Sequence, residues 1–340
     1  MREAMFIKKN AEKWKEYQHS PTDNPDETAE RFITLIDDLS YAKTFYPRSK
    51  VTRWVNGIAA GIYQSIYQNK KEKYSRIFQF WKYELPLLFK RYHRIFLFTT
   101  ICFLLFVAIG VFSSMNDEGF IRGVLGDNYV NMTEENIAKG DPFGVYKDDN
   151  PFSMFVRIAF NNIKVSFLAF IFGFTLGILT LWVMWQNGLM LGCFQYMFFS
   201  KGLGIKSVLV IWIHGTLEIS AIVLAATAGF ILANGILFPG TYSRMHSFKQ
   251  GTKDAAKVLI CLVPVFITAA FFESYVTHLM SQTYDKESSA GLPVWASVLI
   301  LSVSFAFIVW YFIILPIRLH KKGYYLQSDG IINRLKENNA

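Results

Sequence analysis

The sequence predicts an all-α polytopic integral membrane protein with six membrane segments, the third short or broken, and a cytoplasmic helical region ahead of them. Three observations carry this prediction. Of 340 residues, 52% are hydrophobic, and phenylalanine alone contributes 32. Five apolar runs, Ile95–Ser113, Val165–Trp185, Val208–Leu232, Val258–Tyr275 and Val294–Leu315, approach the roughly 20 residues that a spanning helix needs. The net charge of +9 is spread over the segments flanking those runs. A membrane protein explains that distribution more simply than nucleic-acid binding, which is not expected.

Residues 1–94 are polar, basic and helical in pattern. Met1–Tyr17 places Met5, Phe6, Ala11 and Trp14 on one stripe, and Pro21–Pro25 interrupts it as a turn. Glu27–Tyr46 repeats the spacing with Phe32, Ile33, Ile36, Leu39 and Tyr41 before Pro47. Val51–Gln68 does so again with Val55, Ile58, Ile62 and Ile66. A bundle of amphipathic helices feeding the first span through Trp81–Arg94 follows, suited either to anionic lipid headgroups or to a docked protein. The first apolar run begins only at Ile95, so no cleavable signal peptide is expected and the first span acts as an uncleaved anchor.

Orientation follows from the basic residues near the span ends. Lys90, Arg91 and Arg94 place the N-terminus in the cytoplasm, and Arg318, His320, Lys321 and Lys322 place the C-terminal tail, residues 317–340, there too. The segment 114–164 is richer in Asp and Glu than in Lys and Arg, which suits an outward loop. Within it Asn150–Lys164 reads as an interfacial helix closed by Asn161 and Asn162, which suit capping or the mouth of a cavity. Two cytoplasmic termini need an even number of crossings, so the short, Gly-interrupted Asn187–Leu203 must supply the missing one, with a re-entrant hairpin as the competing reading. The membrane domain is therefore 95–316, with segments near 95–113, 165–185, 188–203, 207–233, 257–279 and 294–315.

The most informative residues are ionisable groups at membrane depth. Each costs about 2.5 to 3.5 kcal/mol on insertion scales and so tends to be paired, cavity-lining and functional. His214 and Glu218 are four apart in the fourth span and share a helix face. Glu273 and Thr277 share a face of the fifth, with His278 turned further round. The topology places His214 about a third of the way in, Glu218 near mid-depth, Glu273 level with the outer half and His278 at the outer boundary, four groups in one slab able to line a cavity that opens outward. Three readings are compatible: a hydrogen-bonded network fastening the spans, a proton- or ion-handling site, or a metal site of His214, Glu218, Glu273 and His278. Two glutamates that meet with only His214 as a basic partner would leave one of them holding a proton.

Small residues recur at packing distance: Gly173 and Gly177, Gly188 and Gly192, Ala225 and Gly229. Such faces suit close packing within the chain, and also pairing between protomers as a homo-oligomer. Pro264 is expected to kink the fifth span, and Pro239-Gly240 to end the fourth. Cys102, Cys193 and Cys261 all fall in apolar segments without CxxC spacing, so no disulfide framework is implied. Walker, GxSxG and GxGxxG motifs do not occur, so nucleotide hydrolysis within this chain is not expected, energy coupling would come from ion gradients or a partner, and no cofactor is expected.

His214-Gly215-Thr216-Leu217-Glu218-Ile219-Ser220-Ala221, followed by Ala228-Gly229 and Pro239-Gly240, resembles the signature of the stage II sporulation protein M family. Glu273-Ser274-Tyr275-Val276-Thr277 resembles its second glutamate motif, and Asn161, Asn187-Gly188 and Leu191-Gly192 fit the region between. Arg2–Phe6 and Trp14 look like the longer, non-sporulation bacterial members. The resemblance implies a bacterial inner-membrane protein. The family's namesake is a membrane scaffold for two partners that remodel peptidoglycan.

The resulting expectation is a non-enzymatic membrane protein that scaffolds or assists an envelope-associated complex. Its partners would be the lipid bilayer and other membrane or envelope proteins, and its buried polar cluster His214, Glu218, Glu273, Thr277 and Asn161. The alternatives are a proton- or ion-coupled transporter or channel-like protein using Glu218 and Glu273, and an intramembrane metallohydrolase.

Overall fold

A computed structural model describes residues 2–20, 22, 24–67, 75–144, 150–284, 291, 293–327 and 332–334. The chain folds as two units, Met1–Arg76 and Ile77–Ala340.

The first unit contains α1 (Glu3–His19), α2 (Pro25–Phe45) and α3 (Lys50–Tyr67). Asn24 caps α2 by accepting from the Asp26 N–H, and Pro25 takes the first helical position, where its missing N–H costs nothing. Beside that cap, hydrogen bonds from Thr22 and then Arg31 hold the Glu27 carboxyl below its usual range. Phe6, Trp14, Leu35, Leu39, Val51, Val55 and Ile58 form the core. Trp14 is wholly buried, stands edge-on to Trp54 at 5.5 Å, and donates its indole N–H to Asp38 at 2.8 Å.

The second unit begins with a π-turn, Phe80–Glu84, leading into α4 (Leu85–Arg91). The expected boundary at residue 94 moves accordingly, because this stretch is tied to the membrane helices by charge. The long helices are α5 (His93–Asn116), α8 (Pro151–Ile171), α9 (Ile178–Ser200), α10 (Gly204–Leu237), α11 (Arg244–Phe271) and α12 (Val294–Val309). Short helices α6 (Glu118–Leu125) and α7 (Asp127–Lys139) sit between α5 and α8. A 3-10 turn extends α8 to Thr175, a π-turn and a final α-turn extend α11 to Gln282, and similar turns extend α12 to Lys321. Counting those extensions, five helices among the described residues are long and apolar enough to cross a membrane: His93–Asn116, Pro151–Thr175, Gly204–Leu237, Arg244–Gln282 and Val294–Lys321. The class is therefore all-α and polytopic. A short hairpin, β1 (Tyr324–Leu326) with β2 (Ile332–Arg334), follows.

The expected second span, 165–185, is not one helix. Leu176 and Gly177 both take left-handed φ angles, 58° and 85°, and the chain reverses there. The Thr175 hydroxyl donates to the Phe172 carbonyl at 2.6 Å and accepts the Leu179 N–H at 3.1 Å, ending one helix and starting the next. Apolar residues run unbroken through this turn, which hides it from a hydropathy reading. The supposed interfacial helix 150–164 is consequently the first two-thirds of α8, with Asn150 as its N-cap. The supposed short third segment, 188–203, is mostly the second half of α9, a full 23 residues. Gln186, Asn187 and Gln195 dilute the apolarity of α9.

Among the described residues the core centres on α10. Ala221, Ala225, Ala228, Ile231 and Leu232 pack against Ala255, Val258, Cys261, Leu262 and Phe266 of α11. In lipid no hydrophobic gain distinguishes a neighbouring helix from an acyl chain, so close backbone approach must hold the bundle. A Cβ added at Gly173 would stand 2.3 Å from the Gly229 carbonyl oxygen. One added at Gly229 would stand 2.4 Å from that of Ala169, and one at Gly192 2.4 Å from that of Val107. Gly188 abuts Phe106, Gly177 abuts Phe230, and Ala225 is fully buried. The small-residue faces expected to suit protomer pairing are thus occupied within the chain. The outer faces of α5 and α12 instead expose Leu97, Ile101, Leu104, Leu299 and Val303.

Two ion pairs fasten the π-turn and α4 to the first half of α11. Lys257 meets Glu84 at 2.5 Å, and Arg91 meets the fully buried Asp254 at 3.2 Å. Asp254 also accepts from Tyr92 at 2.9 Å and Gln250 at 3.0 Å. Burial first, and then the Asp254 charge, raise the Tyr92 hydroxyl above its ordinary range. Arg91 in addition donates to the carbonyls of Leu326 and Gln327.

Removing a partner from a buried pair leaves uncompensated charge. Asp254→Ala should cost about 3 kcal/mol, read as a lower thermal midpoint in detergent, with Asp254→Asn losing less. An Asp254→Ala midpoint equal to wild type contradicts the clamp. Gly229→Val should cost about 3 kcal/mol or more through backbone collision. Gly215→Ala should be tolerated, since nothing lies within 4 Å of its added methyl. Equal yields of folded protein for the two variants argue against the packing account.

Candidate functional site

Three elements converge on one polar cluster. The α-helical period puts His214 and Glu218 on one face of α10. The π-turn Phe272–Thr277 at the end of α11 supplies Glu273 and Thr277. The other two π-turns, Phe80–Glu84 and Trp310–Ile314, each lead directly into a Leu-Pro pair, where a proline lacking its N–H gives a local reason for widening. The turn at Glu273 has no such proline; Pro264 lies two helical turns earlier. Widened turns of this kind recur at functional sites.

His214 is 4% exposed. Its Nδ1 lies 2.9 Å from Thr277 Oγ1, and its Nε2 lies 3.9 Å from Glu273 Oε1. One ligand-type atom from each of His214, Glu218 and Glu273 falls within 4.8 Å of the others. The Asn162 amide of α8 donates to Glu218 Oε1. Asn162, not the expected Asn161, therefore joins the cluster: one residue turns a helix by about 100°, and Asn161 lies on the exposed face. The side chain of His278 lies outside the described residues. The charge of Arg157, on the exposed side of α8, reaches Glu273.

A cleft of about 320 Å³ leads to His214 and Glu218, walled by Leu125, Tyr129, Phe194 and Trp212 among others. Its α6–α7 side belongs to the segment expected to be an outward loop. Ile121, Val130 and Phe143 of that segment pack on Met197, Phe198, Val210 and Ile213, forming a helical cap over the ends of α9 and α10. Burial, and to a lesser degree the Glu273 charge, push the Tyr129 hydroxyl up to about 12, partly offset by a hydrogen bond with Thr133. Tyr129 is thus a neutral hydrogen-bonding group at neutral pH.

The sequence reading named Asn162 only beside Asn161, for capping or a cavity mouth, and missed Tyr129 and the link between α9 and α10. In that link Trp212 donates to Gln195 at 2.8 Å and Gln195 donates to Ser207 at 2.9 Å. A polar residue inside an apolar run was the available signal for Asn162 and Gln195. Tyr129 stands in an ordinary polar segment and carried none.

Residues 4–68, within the first unit, match the sequence model of a domain of unknown function (DUF8413). No curated protein and no solved structure matches the chain. Residues 99–278, from α5 through the π-turn that carries Glu273, match the sequence model of stage II sporulation protein M. That stretch is more than half of the sequence and contains every described residue of the cluster, so the chain belongs to the stage II sporulation protein M family.

Proposed function

We propose that this protein is a multi-pass component of the bacterial inner membrane, with both termini in the cytoplasm, that scaffolds an envelope-associated complex. The observation that carries the reading is the hydrogen-bonded cluster itself. Hydrogen bonds of Asn162 with Glu218 and of His214 with Thr277, and the approach of Glu273 to within 3.9 Å of His214, join α8, α10 and α11. Beyond Glu218, Ala221, Ala225 and Ala228 are fully buried, so α10 continues as a packed rod. Such a unit holds a fixed surface for partners.

Orientation rests on the basic residues Arg91 and Arg94 at the entry to α5, Lys249, Lys253 and Lys257 in the first half of α11, and Arg318 and Lys321 at the end of the turns that extend α12. With that end inward, the 15 residues from Val258 to Glu273 rise about 22 Å through a core of about 30 Å. The cluster then lies in the outer half of the bilayer, with α6 and α7 on the outer surface above it. Family membership supports the scaffold role by analogy with the namesake.

Proton or ion handling is the second reading, favoured by the cleft that reaches His214 and Glu218. Two carboxylates this close repel one another, and inside a membrane they must share a proton or a cation.

Reconstitution and native electrophoresis separate the two. A scaffold should migrate in solubilised native membranes as a complex larger than itself. Glu218→Gln, which keeps the size and an acceptor for Asn162, should retain that complex, whereas Glu218→Leu should lose it. Liposomes holding the wild-type chain should pass protons no faster than liposomes holding Glu218→Gln. A Glu218-dependent proton flux establishes the second reading, and a chain that migrates alone in every variant removes the first.

A further inference from the structure

We propose that His214, Glu218 and Glu273 hold one zinc-class divalent cation, with a fourth coordination position facing the cleft. The inference rests on the reading of this cluster as the tie between three helices and adds what fills it.

The donor set comes first. One imidazole nitrogen and two carboxylate oxygens form a mixed set that zinc accepts, whereas calcium and magnesium favour six or more oxygens. Geometry comes second. Ligand atoms on a tetrahedral zinc, each about 2.0–2.2 Å from the metal, stand about 3.4 Å apart. The three donors lie within 4.8 Å of one another, and His214 Nε2 is 3.9 Å from Glu273 Oε1. Side-chain movements of about 1 Å close them onto one ion. Charge comes third. Two carboxylates and a neutral imidazole carry two negative charges, which one divalent cation cancels where solvent screening is weak.

The surroundings are those of a ligating set. Thr277 engages His214 Nδ1 and leaves Nε2 directed toward Glu273, and the Asn162 amide fixes one Glu218 oxygen. Outer hydrogen bonds of this kind set the tautomer and aim of metal ligands. The cleft beside His214 and Glu218 gives the fourth position access to water or to a small ligand, the pattern of three-ligand zinc sites.

The test uses the full-length chain in detergent, stripped with a chelator and re-equilibrated with Zn²⁺ or Co²⁺. Expected are about one cation per chain and a tetrahedral cobalt(II) absorption spectrum. Thr277→Val keeps the side-chain volume but loses the bond to His214, and should bind zinc about 10–100-fold more weakly. A stripped chain that takes up no metal overturns the proposal, as does zinc bound undiminished by His214→Gln. The cobalt spectrum is read on the wild-type chain, so an octahedral spectrum overturns the proposal even where a variant fails to fold. A chain that takes up no metal and still migrates in its membrane complex removes the cation and leaves the scaffold reading standing.

Discussion

Polar side chains at membrane depth have no water to turn to, so each must find its partner on another part of the same protein. That constraint organises the second unit. His214 and Glu218 cannot face acyl chains at low cost, and α10 is therefore the helix around which others gather. α8 brings Asn162 to Glu218, and the π-turn of α11 brings Glu273 and Thr277 to His214. The same pressure acts on the first half of α11. There Asp254 is fully buried and meets Arg91, Tyr92 and Gln250, while Lys257 meets Glu84. Asp254 and Glu273 are 19 residues apart, a rise of about 28 Å, close to the thickness of a hydrocarbon core. The bundle is thus tied by polar contacts near both ends of one helix.

Between the two ties the helices hold by shape. Gly173 against Gly229 and Gly110 against Gly192 let backbones approach to distances that a side chain would prevent, and Gly235 against Gly251 makes a third close seam. Dispersion contacts and weak hydrogen bonds over such seams replace the hydrophobic drive that a soluble core would use. A rigid seam also keeps the cluster residues in register, since a shift of α8 along α10 would separate Asn162 from Glu218. Packing and polar chemistry therefore support one another.

Much of this was legible in the sequence, for identifiable reasons. A histidine and two glutamates inside apolar runs are rare enough that burial and mutual pairing follow from cost alone, and the structure brings them together. Membrane class followed from run length. The turn at Leu176–Gly177 was not legible, because its residues are as apolar as the helices it separates, and one misplaced turn moved two span boundaries. Choosing Asn162 over Asn161 required the helical phase of α8, which a stretch apolar on most sides does not reveal. The π-turn at Glu273 has no proline or other local marker. Asp254 and Glu84 looked like ordinary surface charges beside lysines and became buried partners only through long-range folding.

The account depends on Glu218 and Glu273 behaving as one unit inside the membrane. Infrared difference spectra of wild type against Glu218→Gln, Glu273→Gln and the double substitution test this directly, in the carboxyl and carboxylate stretching region. Coupled groups predict that each single substitution perturbs the signal of the remaining glutamate, so that the double change differs from the sum of the singles. Two independent signals that add without interaction contradict a shared site and, with it, the central tie of the fold.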